Sequence, residues 1–397
     1  MNVFKKISLL LIIILLLMII AYKIIAAYQE RNYQSVVKSL LTPTTIQPNT
    51  SNNTAILPLY VDKQPITQLA LINFEQNPEA VYNALEIQFL ERVDASGYRI
   101  LAYRNDGFVD VYDDVNLPID LNESFEVAGK GANAHVSRDL GQVIFEKDDQ
   151  GNVTIAFSFI DLLNRPIEVA IKEGIDKPST PLNLLAPIGV GSEKPSYFPL
   201  FWLYDFDFIR TSQLTCDINI DGNAISPDPF PVPFPIDGQL RNFIRYSFDA
   251  RLYSLFDVNK GTLRKVTLNE QNQWIENDVV YQFDEQNQLT FINHQTTAIV
   301  FEPSLNLSQS HKGQINVVTQ DNMGYIQGSY QVTVMNDGKT HLTFHFDDGW
   351  KANVPLLMHK IIVNDNSVFA SWPKQYYFDL TIDWQANTLE GKWENRQ

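Results

Sequence analysis

The chain has 397 residues, with 30 Lys and Arg against 46 Asp and Glu, 45% hydrophobic residues and a single Cys. A net charge of −16 excludes a sequence-independent grip on nucleic acid, which needs clustered basic side chains to displace counterions. The lone Cys216 excludes an internal disulfide and a thiolate-rich zinc site, so packing and hydrogen bonding must hold the fold together.

The first predicted element is helical. Lys5 and Lys6 precede an apolar run from Ile7 to Tyr22, and a second run from Ile24 to Tyr28 follows Lys23. With the Lys23 ammonium reaching to the interface, residues 1–28 attain the ~20 residues that cross a hydrocarbon core. The expectation is a transmembrane signal-anchor with the bulk of the chain exported, periplasmic or extracellular, because Lys5 and Lys6 favour the cytoplasmic side. Ile25-Ala26-Ala27 would serve as a cleavage site, but the Leu and Ile density favours an uncleaved anchor. Beyond position 38 the chain keeps 25 basic and 45 acidic residues, a net −20, which disfavours lying flat on an anionic lipid surface. Residues 29–57 read as a stalk, helical to about Leu40, followed by the polar spacer Thr42–Thr54, which carries Pro43 and Pro48.

From Pro58 onward the dominant period is two. Glu86–Val93, Tyr98–Arg104 and Phe108–Tyr112 alternate and are separated by Ala95-Ser96-Gly97 and Asn105-Asp106-Gly107, the turn chemistry of a meander. Next comes a loop cluster, His135-Val-Ser-Arg138-Asp139, in which His135 is a proton-transfer candidate and Arg138 a partner for a buried carboxylate. An ordinary loop salt bridge is the plainer alternative. Gly129 and Gly131 lack the spacing and the helix of a phosphate loop. Strands at Gln142–Glu146, Val153–Ile160 and Ile167–Lys172 continue the pattern.

The segment Ser196–Arg210 is the most unusual. Read as a regular strand, it puts Trp202, Tyr204, Phe206 and Phe208 on one face and Asp205 and Asp207 on the other, the two carboxylates about 7 Å apart. Such a pair could supply a general acid and a general base, with Trp202 and Tyr204 lining a binding surface. A solvent-facing acidic pair behind an aromatic core face is the plainer reading. Proline then recurs at every second position from Pro227 to Pro235, a stiff connector whose Phe230 and Phe234 are expected to dock on neighbouring β structure. The domain boundary is placed there, giving a first β domain at 58–226, a connector at 227–236 and a second β domain at 237–397.

The second half repeats the style in eleven predicted strands from Asn242–Phe256 to Thr388–Trp393, among them Lys360–Asn364. His341 and His345 share a strand face but stand about 13–14 Å apart, too far for one metal ion. No metal and no cofactor are expected. Trp350, with Trp372, Trp384 and Trp393, could line a pocket, although strand aromatics are core by default. The fold class expected is mainly β: two antiparallel barrel or sandwich domains after an N-terminal transmembrane helix.

Two consecutive antiparallel β domains joined by an extended connector resemble the tandem lipocalin-like proteins that include carotenoid 1,2-hydratases and the AttH group. The resemblance is architectural, covers Pro58 to Trp393 and carries over no catalytic position. It implies a cavity for a hydrophobic molecule. The leading functional expectation is therefore a membrane-anchored protein binding a lipid-like or isoprenoid-like molecule. Alternatives are an acid–base isomerase, hydratase or cyclase using Asp205 and Asp207, and a structural protein contacting other envelope proteins.

Overall fold

The computed structural model describes residues 13, 20–21, 23–24, 27–28, 31, 33–35 and 37–38. From 54 to 396 it describes all but 121–122, 175–178, 190–191, 193–194, 232–234, 258–259, 320, 322, 355–356, 364–368 and 370–371. The chain is mainly β, in sheets that stay open; none closes into a barrel, which corrects the barrel half of the expectation.

A ten-stranded sheet runs in the order Val61–Lys63, Asp249–Leu255, Phe198–Arg210, Arg241–Ser247, Ile66–Asn73, Tyr82–Glu91, Ser96–Arg104, Val109–Asp114 and Ala132–Arg138, with Leu182–Ala186 also paired to Phe198–Arg210. A five-stranded sheet is built from Ile144–Lys147, Val153–Ile160, Pro166–Glu173, Leu214–Ile220 and Asn223–Ala224. The largest sheet, of eleven strands, is formed by the chain after position 259. Thr54–Leu57 reaches across to pair with Arg264–Thr267. Strands Arg241–Ser247 and Asp249–Leu255 follow the Pro-rich segment, yet they bond to Phe198–Arg210, Ile66–Asn73 and Val61–Lys63. The hydrogen-bonded sheet therefore spans that segment.

Alternation explains the layers. Pro166–Glu173 buries Ile167, Val169, Ile171 and Glu173 and exposes the residues between them, as a strand with one face on a core must. That face meets Ala70, Ile72, Leu85, Ile87 and Ile100 of the ten-stranded sheet in a first core. A second, larger core lies between the other end of the ten-stranded sheet and the eleven-stranded sheet. At its centre Phe198 stands 4.6 Å from Phe346, 5.2 Å from Trp372, 5.0 Å from Tyr376 and 5.7 Å from Trp393, ring to ring. Two of the buried indoles satisfy their N–H groups on carbonyls, Trp372 Nε1 donating to Ile188 and Trp393 Nε1 to Phe256, whereas Trp202 and Trp350 Nε1 have no partner among the described residues.

Several expectations change. The single-pass anchor is not supported: among the described residues no helix is long and apolar enough to cross a membrane. Most of residues 1–28 lie outside the described set. The stalk is not free-standing, because Tyr33 and Val37, one helical turn apart, pack on Val318 and Tyr325, and Gly324 N–H donates to the Tyr33 hydroxyl at 2.9 Å. Of the strand predicted at Lys360–Asn364, residues 360–363 instead belong to a helix, Leu357–Val363, and Asn364 lies outside the described residues; a short apolar run does not by itself distinguish helix from strand. The His135 loop is a strand, Ala132–Arg138, lying parallel to Val109–Asp114. The Pro-rich segment docks as expected where it is described. Phe230 packs against Phe208, the tilted rings 4.6 Å apart, and Asp228 is buried, accepting from the backbone of Glu75 and Gln76. Phe234 lies outside the described residues.

Candidate functional site

Strands Tyr82–Glu91 and Ser96–Arg104 are buried on both faces. One face, with Leu85, Ile87, Ile100 and Ala102, belongs to the first core. The other carries Glu86, Gln88 and Leu90 beside Arg99, Leu101 and Tyr103, the i, i+2 positions of two paired strands. This polar-bearing face floors a cleft of about 90 Å³ roofed by Phe125, Val127 and Ala128 and walled by Ile188, Phe201 and Leu252. Gln64, Pro65, Glu123, Ser124 and Tyr197 line both this inner cleft and a wider opening of about 530 Å³. Around the opening stand Asp62, Glu91, Asp120 and Asp257 with Lys63 and Arg92, an excess of acidic groups.

Two hydrogen-bonded sets hold the floor. In the first, Tyr103 O–H donates to Glu86 Oε2 at 2.6 Å, and Gln88 Nε2 donates to Oε1 at 2.7 Å. Burial pushes the Glu86 carboxyl above its ordinary range, against the lowering pull of those two bonds and of Arg245. The same burial, reinforced by Glu86, drives the Tyr103 phenol far up. In the second set, Arg99 grips Asp113 with Nε and Nη2, the latter at 2.9 Å, and grips Glu123 with Nη1 and Nη2. His135 Nε2 donates to Asp113 Oδ2 at 2.8 Å. Burial alone would raise Asp113, but the bonds from Arg99 and His135 outweigh it and hold the carboxyl at about 2. Phe125 closes over this set, edge-on to His135 at 5.1 Å and 5.1 Å from the Arg99 guanidinium.

The sequence-predicted site residues are not brought together. His135 does not line the cleft; it touches the roof residue Phe125 and bonds Asp113, which in turn holds Arg99. Arg138 donates to the carbonyls of Ser137 and Ile160. Asp205 and Asp207 do not share a face, because Asp205 takes φ 48°, which breaks the alternation of Phe198–Arg210. Asp205 is exposed, while Asp207 is buried among Ser179, Arg210 and Arg241. Trp202 and Trp350 meet edge to face at 6.4 Å inside the second core. Tyr204 donates to Asp321, with Arg251 over its ring at 4.3 Å. His341 faces Thr381 and His345 pairs with Asp347, and among the described residues no three His, Cys, Asp or Glu side chains converge as a metal site.

Sequence reasoning missed Glu86, Arg99, Tyr103, Asp113 and Glu123. Polar residues at every second position look the same whether that face meets water or a second layer, so the alternation of Glu86-Ile-Gln does not mark a site. Comparison of the chain with protein-family models, with curated proteins and with solved structures finds no match.

Proposed function

We propose that the protein binds a small molecule in this cleft, with a short apolar group in the inner part and a polar remainder in the opening. The size of the two parts supports the reading. Ligand sites generally measure ~300–1,000 Å³. The opening, at about 530 Å³, is within that range, whereas the inner cleft, at about 90 Å³, takes only one end of a ligand. A ligand apolar along its whole length would leave most of its body among Asp62, Glu91, Glu123 and Asp257, where it desolvates charges without compensation. The observation that carries the proposal is the joining of an apolar recess to a polar opening around a floor of fixed hydrogen-bonding groups.

Each Glu86 oxygen accepts one bond from the protein and keeps capacity for another, and the Tyr103 oxygen can also accept. The ligand group that enters should therefore carry a hydrogen-bond donor, a hydroxyl or an amine, beside its apolar part. The likeness to tandem lipocalin-like proteins adds only the general idea of a ligand held against a β-sheet. Ligand-observed NMR with a library of short aliphatic alcohols and amines tests the reading. Hits are expected on the native protein and are expected to disappear in Leu252→Trp, whose indole fills the recess. Hits of equal strength in both proteins, or none in either, would overturn it.

A further inference from the structure

Arg210 and Arg241 lie directly opposite one another on antiparallel strands, and their side chains are 1% and 0% exposed. Two like charges at opposed positions disfavour strand pairing, and a buried guanidinium without acceptors is among the most costly groups a fold can hold. Two carboxylates accompany them, Glu173 at the core-facing end of Pro166–Glu173 and Asp207 on the same strand as Arg210.

These carboxylates spend their short bonds elsewhere. Glu173 Oε1 accepts from the backbone N–H of Arg210 at 2.7 Å. Asp207 Oδ2 accepts from Ser179 Oγ at 2.6 Å, and Oδ1 from the backbone N–H of Phe208 at 2.8 Å. The closest approaches to the guanidiniums are 3.4 Å from Glu173 to Arg210, 3.6 Å from Asp207 to Arg241 and 3.8 Å from Asp207 to Arg210. Among the described residues one side-chain hydrogen bond is made, from Arg210 Nη2 to Ser179 Oγ at 3.1 Å. Arg210 Nε and Nη1, and Arg241 Nε, Nη1 and Nη2, are buried without a partner among the described residues.

We propose that Arg210 and Arg241 together hold a small tetrahedral oxyanion, of the phosphate or sulfate class, as a built-in ligand of the fold. Arginine donates and never accepts, so these five guanidinium nitrogens call for acceptors, while the buried Glu173 Oε2 beside them also lacks a partner among the described residues. A tetrahedral oxyanion presents four acceptor oxygens at once and matches the forked guanidinium geometry, whereas each water brings two donors of its own into a donor-rich place. Burial raises Glu173 above the ordinary glutamate range, against the lowering effect of Arg210 and Arg241. Asp237, which accepts from Thr180 N–H, and His359, whose pKa burial lowers, complete the charged surroundings.

The site is enclosed, so the test begins from protein unfolded and refolded in chloride buffer free of oxyanions. Thermal unfolding midpoints are then compared in phosphate, sulfate and chloride at matched ionic strength. A saturable rise is expected in phosphate and sulfate only, with Arg241→Lys weakening the apparent affinity at least about tenfold through loss of the fork. Equal midpoints in all three salts, or a rise undiminished in Arg241→Lys, would overturn the proposal. Crystals of the unaltered protein grown with selenate provide a readout that needs no variant. A selenium anomalous peak within hydrogen-bonding distance of Arg241 is expected; peaks only elsewhere, or none, would show that water satisfies the arginines.

Discussion

Asp113→Asn is the most searching perturbation of the cleft floor. Asp113 is fully buried and accepts from Arg99 Nε, from Arg99 Nη2 and from His135 Nε2. Asparagine keeps one acceptor oxygen and puts an NH₂ donor where the second stood, and because Arg99 bonds both carboxylate oxygens the amide faces it donor to donor in either orientation. Removing one partner of a buried ion pair costs ~3–5 kcal/mol, because the other charge stays buried without compensation. Glu123 still holds Arg99, which points to the lower end of that range. The pH dependence supplies a second magnitude. The folded-state carboxyl is held at about 2 against an ordinary 3.8, so its contribution is complete above pH 4 and is lost as pH falls through about 2. At ~1.36 kcal/mol per pH unit that amounts to roughly 2 kcal/mol. Urea unfolding followed by circular dichroism at pH 7, 4, 3 and 2 measures both quantities. The native protein should exceed Asp113→Asn by about 3 kcal/mol at pH 7, and most of the difference should vanish by pH 2. A difference below about 1 kcal/mol at pH 7, or one constant across the pH range, would refute the reasoning.

Other outcomes follow from single contacts. Phe198→Ala should cost ~3–5 kcal/mol by emptying the centre of the second core, measured as a fall in urea midpoint at unchanged slope. Glu86→Gln should flatten the pH dependence: a carboxyl whose folded pKa is raised loses the protein stability as pH climbs from the ordinary glutamate value to the raised one, and glutamine removes that loss. Tyr103→Phe should cost ~1–3 kcal/mol at pH 7 by stripping a partner from the buried Glu86 oxygen, with partial recovery in the double variant with Glu86→Gln. Asp205→Gly should be neutral or stabilising by up to ~1 kcal/mol, because glycine accepts φ 48° without strain, while Asp205→Val should destabilise; thermal melts of both decide it.

Local physics was legible in the residues, and long-range placement was not. The hairpin through Asn105-Asp106-Gly107 forms as its turn chemistry dictates, with Gly107 at φ 88° and Arg104 N–H bonded to Phe108 O. Gly151, at φ 89°, likewise turns Ile144–Lys147 into Val153–Ile160. Phe230 docks because an aromatic in a stiff connector has few other places to go. Strand order is another matter. Nothing near residues 241–255 announces pairing with Ile66–Asn73 and Val61–Lys63, since backbone pairing carries no sequence label. The parallel contact of Ala132–Arg138 is equally silent, and so is the left-handed turn at Asp205, which undid the expected carboxylate pair. One signal did stand in the chain unused. Glu173 follows Ile167, Val169 and Ile171 in strict alternation, a charged residue at a core-facing position, and it marks the buried arginine cluster. For the cleft, Arg99 within Tyr98-Arg-Ile-Leu was visible as a residue, but only the layer formed by Glu123 and Phe125 turns its face into an interior.

A crystal structure of the protein purified without harsh extraction and exposed to the alcohols and amines that score by NMR tests the cleft most directly. The expected result is ligand density with its apolar end against Leu101, Phe125 and Phe201 and a heteroatom within hydrogen-bonding distance of Glu86 or Tyr103. A recess holding only ordered water, with ligand bound elsewhere on the surface, would contradict the account.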